Sequence, residues 1–164
     1  MTNLEMKVNA LVAIVTADDE EARRAALAEL TELLVLGEDT GYKQRERDYY
    51  MDVTKVLNKL GVSTSILGYG YLRDSILLAI DNPKLIRKMT RDFYPAVGKR
   101  NNTTGTRVER AIRHAIEVCW ERGDLKMLED YFGNTVSPTK GCPTNREFIS
   151  LVAEKVRMYG AAMH

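Results

Sequence analysis

Apolar residues recur along this chain at steps of three and four positions rather than at every second one, and that period predicts helices. Leu4, Val8, Leu11, Val12 and Val15 fall on one stripe. Thr16, followed by Asp18, Asp19, Glu20 and Glu21, reads as an N-cap with acids in the first turn, facing the positive end of the helix dipole. The helix that follows carries Ala26, Leu27, Leu30, Leu33 and Leu34 on its apolar side and stops near Gly37, so that Gly37–Gly41 (GEDTG) forms a polar hinge and a boundary. A third helix runs roughly from Gln44 to Leu60 and is closed by Gly61. Tyr69, Leu72, Ile76, Leu77 and Ile80 mark a fourth, ended by Asp81-Asn82-Pro83. A short helix from Pro83 to Asp92 starts on proline, which suits a first helical position. Pro95–Arg100 is shorter still, and Asn101–Gly105 (NNTTG) is a turn. Thr106–Arg122, stopped by Gly123, is the longest unbroken helical signal, and Leu125–Phe132 and Thr144–Tyr159 complete the series. No segment of strand length alternates. The expected fold is therefore all-α, a multi-helix bundle containing a helix-turn-helix, with an acidic amphipathic extension over residues 1–42 ahead of a main domain over residues 43–164.

Composition changes this picture only where it is uneven. The chain has 164 residues, 45% of them apolar and 29% charged, enough to bury a core. A formal net charge of +1 conceals a split, because residues 1–48 carry six basic and eleven acidic side chains while the remainder carries eighteen and twelve. Such an asymmetry points to a nucleic-acid or surface partner. No apolar run approaches the roughly 18 residues of a membrane span, and the acidic N-terminus lacks the basic region of a signal peptide. A cytoplasmic protein without membrane contact is expected. Cys119 and Cys142 are too few for a disulfide scaffold or a four-ligand zinc site, and read as reduced thiols, Cys119 in the core and Cys142 exposed in a loop. His114 and His164 are the only histidines. No metal, no cofactor and no catalytic residue is expected, because no nucleophile, base and orienting group occur in a recognised arrangement.

The segment Tyr94–Trp120, YPAVGKRNNTTGTRVERAIRHAIEVCW, has the grammar of a helix-turn-helix. In its second helix Val108, Ala111, Ile112, Ala115, Ile116, Cys119 and Trp120 form the apolar stripe, with Thr104 or Thr106 available as cap. The opposite side shows Arg107, Glu109, Arg110, Arg113 and His114. A major groove admits such a helix; arginine suits bidentate contact with guanine, and glutamate accepts from cytosine. Lys84–His114 holds nine Lys/Arg against Asp92 and Glu109. Periodicity and charge leave a second reading open, in which Glu109–Arg113 and a similar pairing of Glu117 serve only a solvated helix face.

TTGTRVERAIRHAIEVCWERGD, LEDYFGNTVS and PTNREFISLVAEKVR, with LGVSTSILGYGYLRDSILLAI and KLIRKMTRDFYPAVGKRNNTT upstream, closely resemble the effector domain of the sporulation-initiation response regulators, the Spo-zero-A family. The likeness covers about Tyr49 to Met158. It implies an all-helical module whose second helix enters the major groove of double-stranded DNA, with Arg107, Glu109 and Arg110 reading bases. It further implies phosphate or edge contacts from Lys99, Thr103, Thr104, Thr106, Arg113 and His114. Full-length members carry a receiver of about 100–150 residues, a typical domain size, whereas fewer than fifty residues precede the match here. Aspartyl phosphorylation is therefore not the expected switch; Asp18, Asp19 and Asp52 read as cap and surface acids. The resemblance also implies an RNA polymerase sigma subunit as a partner. The two N-terminal stripes must be covered by the domain itself, by a second copy in a homodimer, or by a full-length regulator that the chain would antagonise.

Overall fold

The computed structural model describes residues 3–133 and 141–161, so His164 and residues 134–140 lie outside the described residues. Every regular element among them is helical: α1 (Asn3–Thr16), α2 (Glu20–Lys59), α3 (Leu67–Asp81), a 3-10 segment (Pro83–Lys88), a π-helical segment (Met89–Phe93), α4 (Tyr94–Arg100), α5 (Gly105–Arg122), α6 (Leu125–Phe132) and α7 (Asn145–Tyr159). The all-α expectation holds. The chain divides into two compact units, Met1–Arg47 and Asp48–His164. No helix among the described residues is long and apolar enough to cross a membrane.

In the first unit α1 ends at Thr16, whose hydroxyl donates to the Val12 carbonyl (2.8 Å) instead of capping the next helix. Asp19 takes that role, its Oδ1 accepting from the Ala22 amide at 2.7 Å. The helix break expected at Gly37–Gly41 does not occur, since the backbone of α2 is helical through it. Glycine inside a helix costs about 1 kcal/mol relative to alanine, a penalty that neighbouring helix formers can absorb. Ala10 and Ala26 are buried, whereas Val8, Leu11, Val12, Val15, Leu27 and Leu34 are exposed, Val15 by 80%.

The second unit owns a dense core. Val53, Val56 and Leu57 from α2 and Leu60 just past its end, Leu72 and Ile76 from α3, Phe93 and Val97, Val108, Ile112 and Ile116 from α5, Leu128 from α6, and Phe148, Ile149 and Val152 from α7 are buried together. Fully burying each such side chain contributes about 1.5–3 kcal/mol. Tyr131 and Phe132 lie in the core, Phe132 edge-on to Trp120 with ring centroids 5.1 Å apart. Helix α3 packs against both α5 and α7, and α4 packs against α5.

The single helix expected over Pro83–Asp92 is instead a 3-10 segment followed by a π-helical one. The two are separated at Lys88, whose φ of −127° and ψ of 56° leave the helical region. Leu85 and Ile86 pack against the core while no residue of the 3-10 segment is fully buried, so the short segment is anchored on one side only.

Cys119 donates its Sγ–H to the Leu60 carbonyl at 3.1 Å, tying α5 to the end of α2, and burial pushes its thiol up to about 11. A folded-state pKa above the usual value of about 8.5 contributes stability that is complete below that value and lost as pH rises towards 11. Denaturation midpoints of the wild type are expected to fall more steeply over this interval than those of Cys119→Ala. A thiol reagent should modify Cys142 in the native protein and Cys119 only after unfolding; two fast thiols in the native state would contradict the packing.

Candidate nucleic-acid interface

Two helices and a four-residue turn build the site. α4 ends at Arg100, and the turn needs one left-handed residue, supplied by Asn102 at φ 50°. Asparagine tolerates that conformation better than most side chains. Gly98 is required by close approach: a Cβ there would sit 2.7 Å from the Thr103 carbonyl oxygen. The turn is pinned from below by Asn101, whose Nδ2 donates to Asp74 Oδ2 on α3 (2.8 Å) and to the Val97 carbonyl (3.0 Å). Thr104 then caps α5, accepting from the Arg107 amide at 3.3 Å. Of the two cap candidates, Thr104 is the one used.

Along α5, Val108, Ile112, Ala115, Ile116 and Cys119 are buried, as expected from their spacing, and Ala111 and Trp120 are half-buried. The opposite face carries Thr106, Arg107, Arg110 and His114, all exposed, with Glu109 half-buried between them. The side chains of Arg107, Glu109 and Arg110 make no hydrogen bond or ion pair among the described residues. Lys99 is likewise exposed, and Thr103 is half-buried in the turn. Together with Thr104, these seven residues line the end of α4, the turn and the solvent side of α5.

Arg113 is different. Its Nε donates to Glu117 Oε1 (2.8 Å), one Nη to the Pro143 carbonyl (2.9 Å) and the other to Cys142 Sγ (3.1 Å). The guanidinium thus clasps α5 to the segment entering α7, and Cys142 is half-buried beneath it rather than exposed. Arg113 pairs with Glu117, and not through the Glu109 spacing.

Sequence reasoning missed the other clasp on this surface. Asn145, almost fully buried, donates from Nδ2 to the Glu109 carbonyl (3.1 Å) and to the Tyr94 hydroxyl (3.1 Å), joining α7 to α5 and α4 at once. The N-terminus of α7 is closed by a capping box, the Thr144 amide donating to Glu147 Oε2 (2.7 Å) and the Glu147 amide to Thr144 Oγ1 (3.2 Å). The motif T-x-x-E is visible in the sequence; the partners of Asn145 lie 36 and 51 residues away and leave no local signal. Between α5 and this end of α7 runs an open groove of about 610 Å³, with Arg110, His114 and Arg146 on its walls.

Such a face, polar and cationic above a buried seam, fits a polyanion better than a small molecule, since a groove this open offers no enclosure. Comparison with known families agrees. A family model described as "Sporulation initiation factor Spo0A C terminal" matches residues 53–156, well over half of the chain and the whole of the helix-turn-helix. The chain belongs to this family of helical, DNA-binding effector domains in transcription regulation of sporulation, which is not a family of enzymes.

Proposed function

We propose that the chain is a sequence-specific regulator of transcription that binds double-stranded DNA in the cytoplasm, with α5 as its reading helix. One observation carries this reading: Arg107 and Arg110 are exposed and without an internal partner on a helix whose other face is buried. An unpaired guanidinium fork offers two donors to guanine O6 and N7, and Glu109 accepts from cytosine N4. Lys99, Thr103, Thr106 and His114 surround these three and set the register on phosphates. Thr104 contributes chiefly as the cap. Arg113, engaged with Glu117, Pro143 and Cys142, acts as a positioning residue that fixes the pitch of α5.

A mobility shift on a duplex bearing a sporulation-type operator box tests this reading. A discrete complex, outcompeted by the same box and not by a scrambled one, is the expected result; no complex at low salt with folded protein would overturn it. Lys99→Ala should weaken every duplex alike and flatten the slope of log affinity against log salt by about one unit.

A second reading concerns the first unit and rests on its exposed apolar side chains. Val8, Leu11, Val12 and Val15 on α1 and Leu27 and Leu34 on α2 are all exposed, and exposed apolar side chains in such numbers mark a site of association. A second copy, or the matching helices of a full-length regulator, would cover it and bring two reading helices to one duplex. Sedimentation of the full chain against a chain lacking residues 1–42 distinguishes the cases. A dimer that becomes a monomer on truncation supports this reading, and monomers in both remove it.

A further inference from the structure

Arg146, the second residue of α7, faces two ways. It lines the groove beside Arg110 and His114, and its Nη2 donates to the Arg87 carbonyl at 3.3 Å. That bond fixes the 3-10 segment Pro83–Lys88 against the start of α7. The segment reads PKLIRK, three cations and no acid in six residues. Lys84, Arg87 and Lys88 are exposed, while Leu85 and Ile86 hold the backbone to the core. The nearest following acid, Asp92, is taken by Arg91 (3.0 Å) and Lys88 (3.7 Å). Lys84, Arg87 and Arg146 have no ion pair among the described residues.

A row of cations without counter-charges repels itself and is relieved by a polyanion laid along it. Because Arg146 touches both the groove and the Arg87 backbone, the row continues from the reading face outward instead of forming a separate patch. We propose that Lys84, Arg87 and Arg146 form a second, sequence-independent contact to the sugar-phosphate backbone of the duplex, outside the base pairs that α5 reads. The inference rests on the DNA-binding reading and adds a footprint longer than one helix can cover. Phosphate contacts of this kind position without specifying, so they change affinity and salt dependence but not base preference.

The experiment uses the full chain and two duplexes, one limited to the bound box and one extended by a helical turn on each side. Lys84→Ala/Arg87→Ala removes two exposed side chains and leaves the Arg87 carbonyl, and hence its bond from Arg146, intact. On the extended duplex this variant is expected to lose about two units of salt slope, and Arg146→Ala about one. On the short duplex the double variant should bind as the wild type does, with the same base preference. If the wild type gains nothing from the added turns, or the double variant keeps the wild-type slope on the long duplex, the ridge faces another partner and the inference falls while DNA reading stands. If the wild type binds neither duplex, both fall.

Discussion

Alanine at Gly68 is expected to destabilise the protein by about 3 kcal/mol or more, although alanine is the better helix former. A Cβ at Gly68 would run into the Ala111 carbonyl oxygen of α5, a backbone atom that cannot rotate away. Relief would require α3 and α5 to move apart, and α5 is the helix that carries Arg107 and Arg110. Gly70, two residues further along α3, has nothing within 4 Å of the same added atom. Gly70→Ala is therefore expected to stabilise by about 0.5–1 kcal/mol through reduced freedom of the unfolded chain. Urea midpoints of the two variants should move in opposite directions. A neutral Gly68→Ala would mean that α3 and α5 are further apart than described.

Arg110→Ala is expected to weaken binding to the preferred duplex by about 1–3 kcal/mol, roughly 5- to 150-fold. Its denaturation curve should not change, because the side chain is exposed and has no internal partner. Arg113→Ala, one helical turn on, should behave in the reverse manner. It orphans the Pro143 carbonyl and releases Glu117 and Cys142, so stability falls by about 1.5–3 kcal/mol, the range of a charge-assisted hydrogen bond. Its effect on DNA then follows from a loosened α5 and is the same for every sequence. Titration calorimetry paired with thermal melts separates the two arginines; similar losses of stability in both would contradict the geometry.

Local spacing controls the part of the fold that is legible in the sequence. The bounds of α6, the end of α5 at Gly123, the buried stripe of α5 and the exposure of Arg107, Arg110 and His114 opposite it all follow from periodicity, caps and stop residues lying within a few positions of one another. Elements governed by weak or competing local signals depart from what the sequence leads one to expect. Gly37 and Gly41 look like a helix stop yet lie inside α2, because an isolated glycine lowers helix stability without forbidding it. Pro83 opens a 3-10 turn in place of an α-helix, since packing of Leu85 and Ile86 sets the backbone there. The role of Arg113 was the least accessible. Its spacing to Glu117 is readable, but its bonds to Cys142 and Pro143 span 29 and 30 residues. Asn145 and Arg146 escaped for the same reason, each being defined by partners brought near only by the fold.

Selection of bound sequences from a pool of random duplexes, with the wild type and with Arg110→Ala, bears most directly on the face of α5. The wild type should enrich a single motif, and the variant should keep that motif while losing preference at one base pair. No enriched motif with folded wild type, or an identical motif from the variant, would show that these guanidinium groups do not read bases.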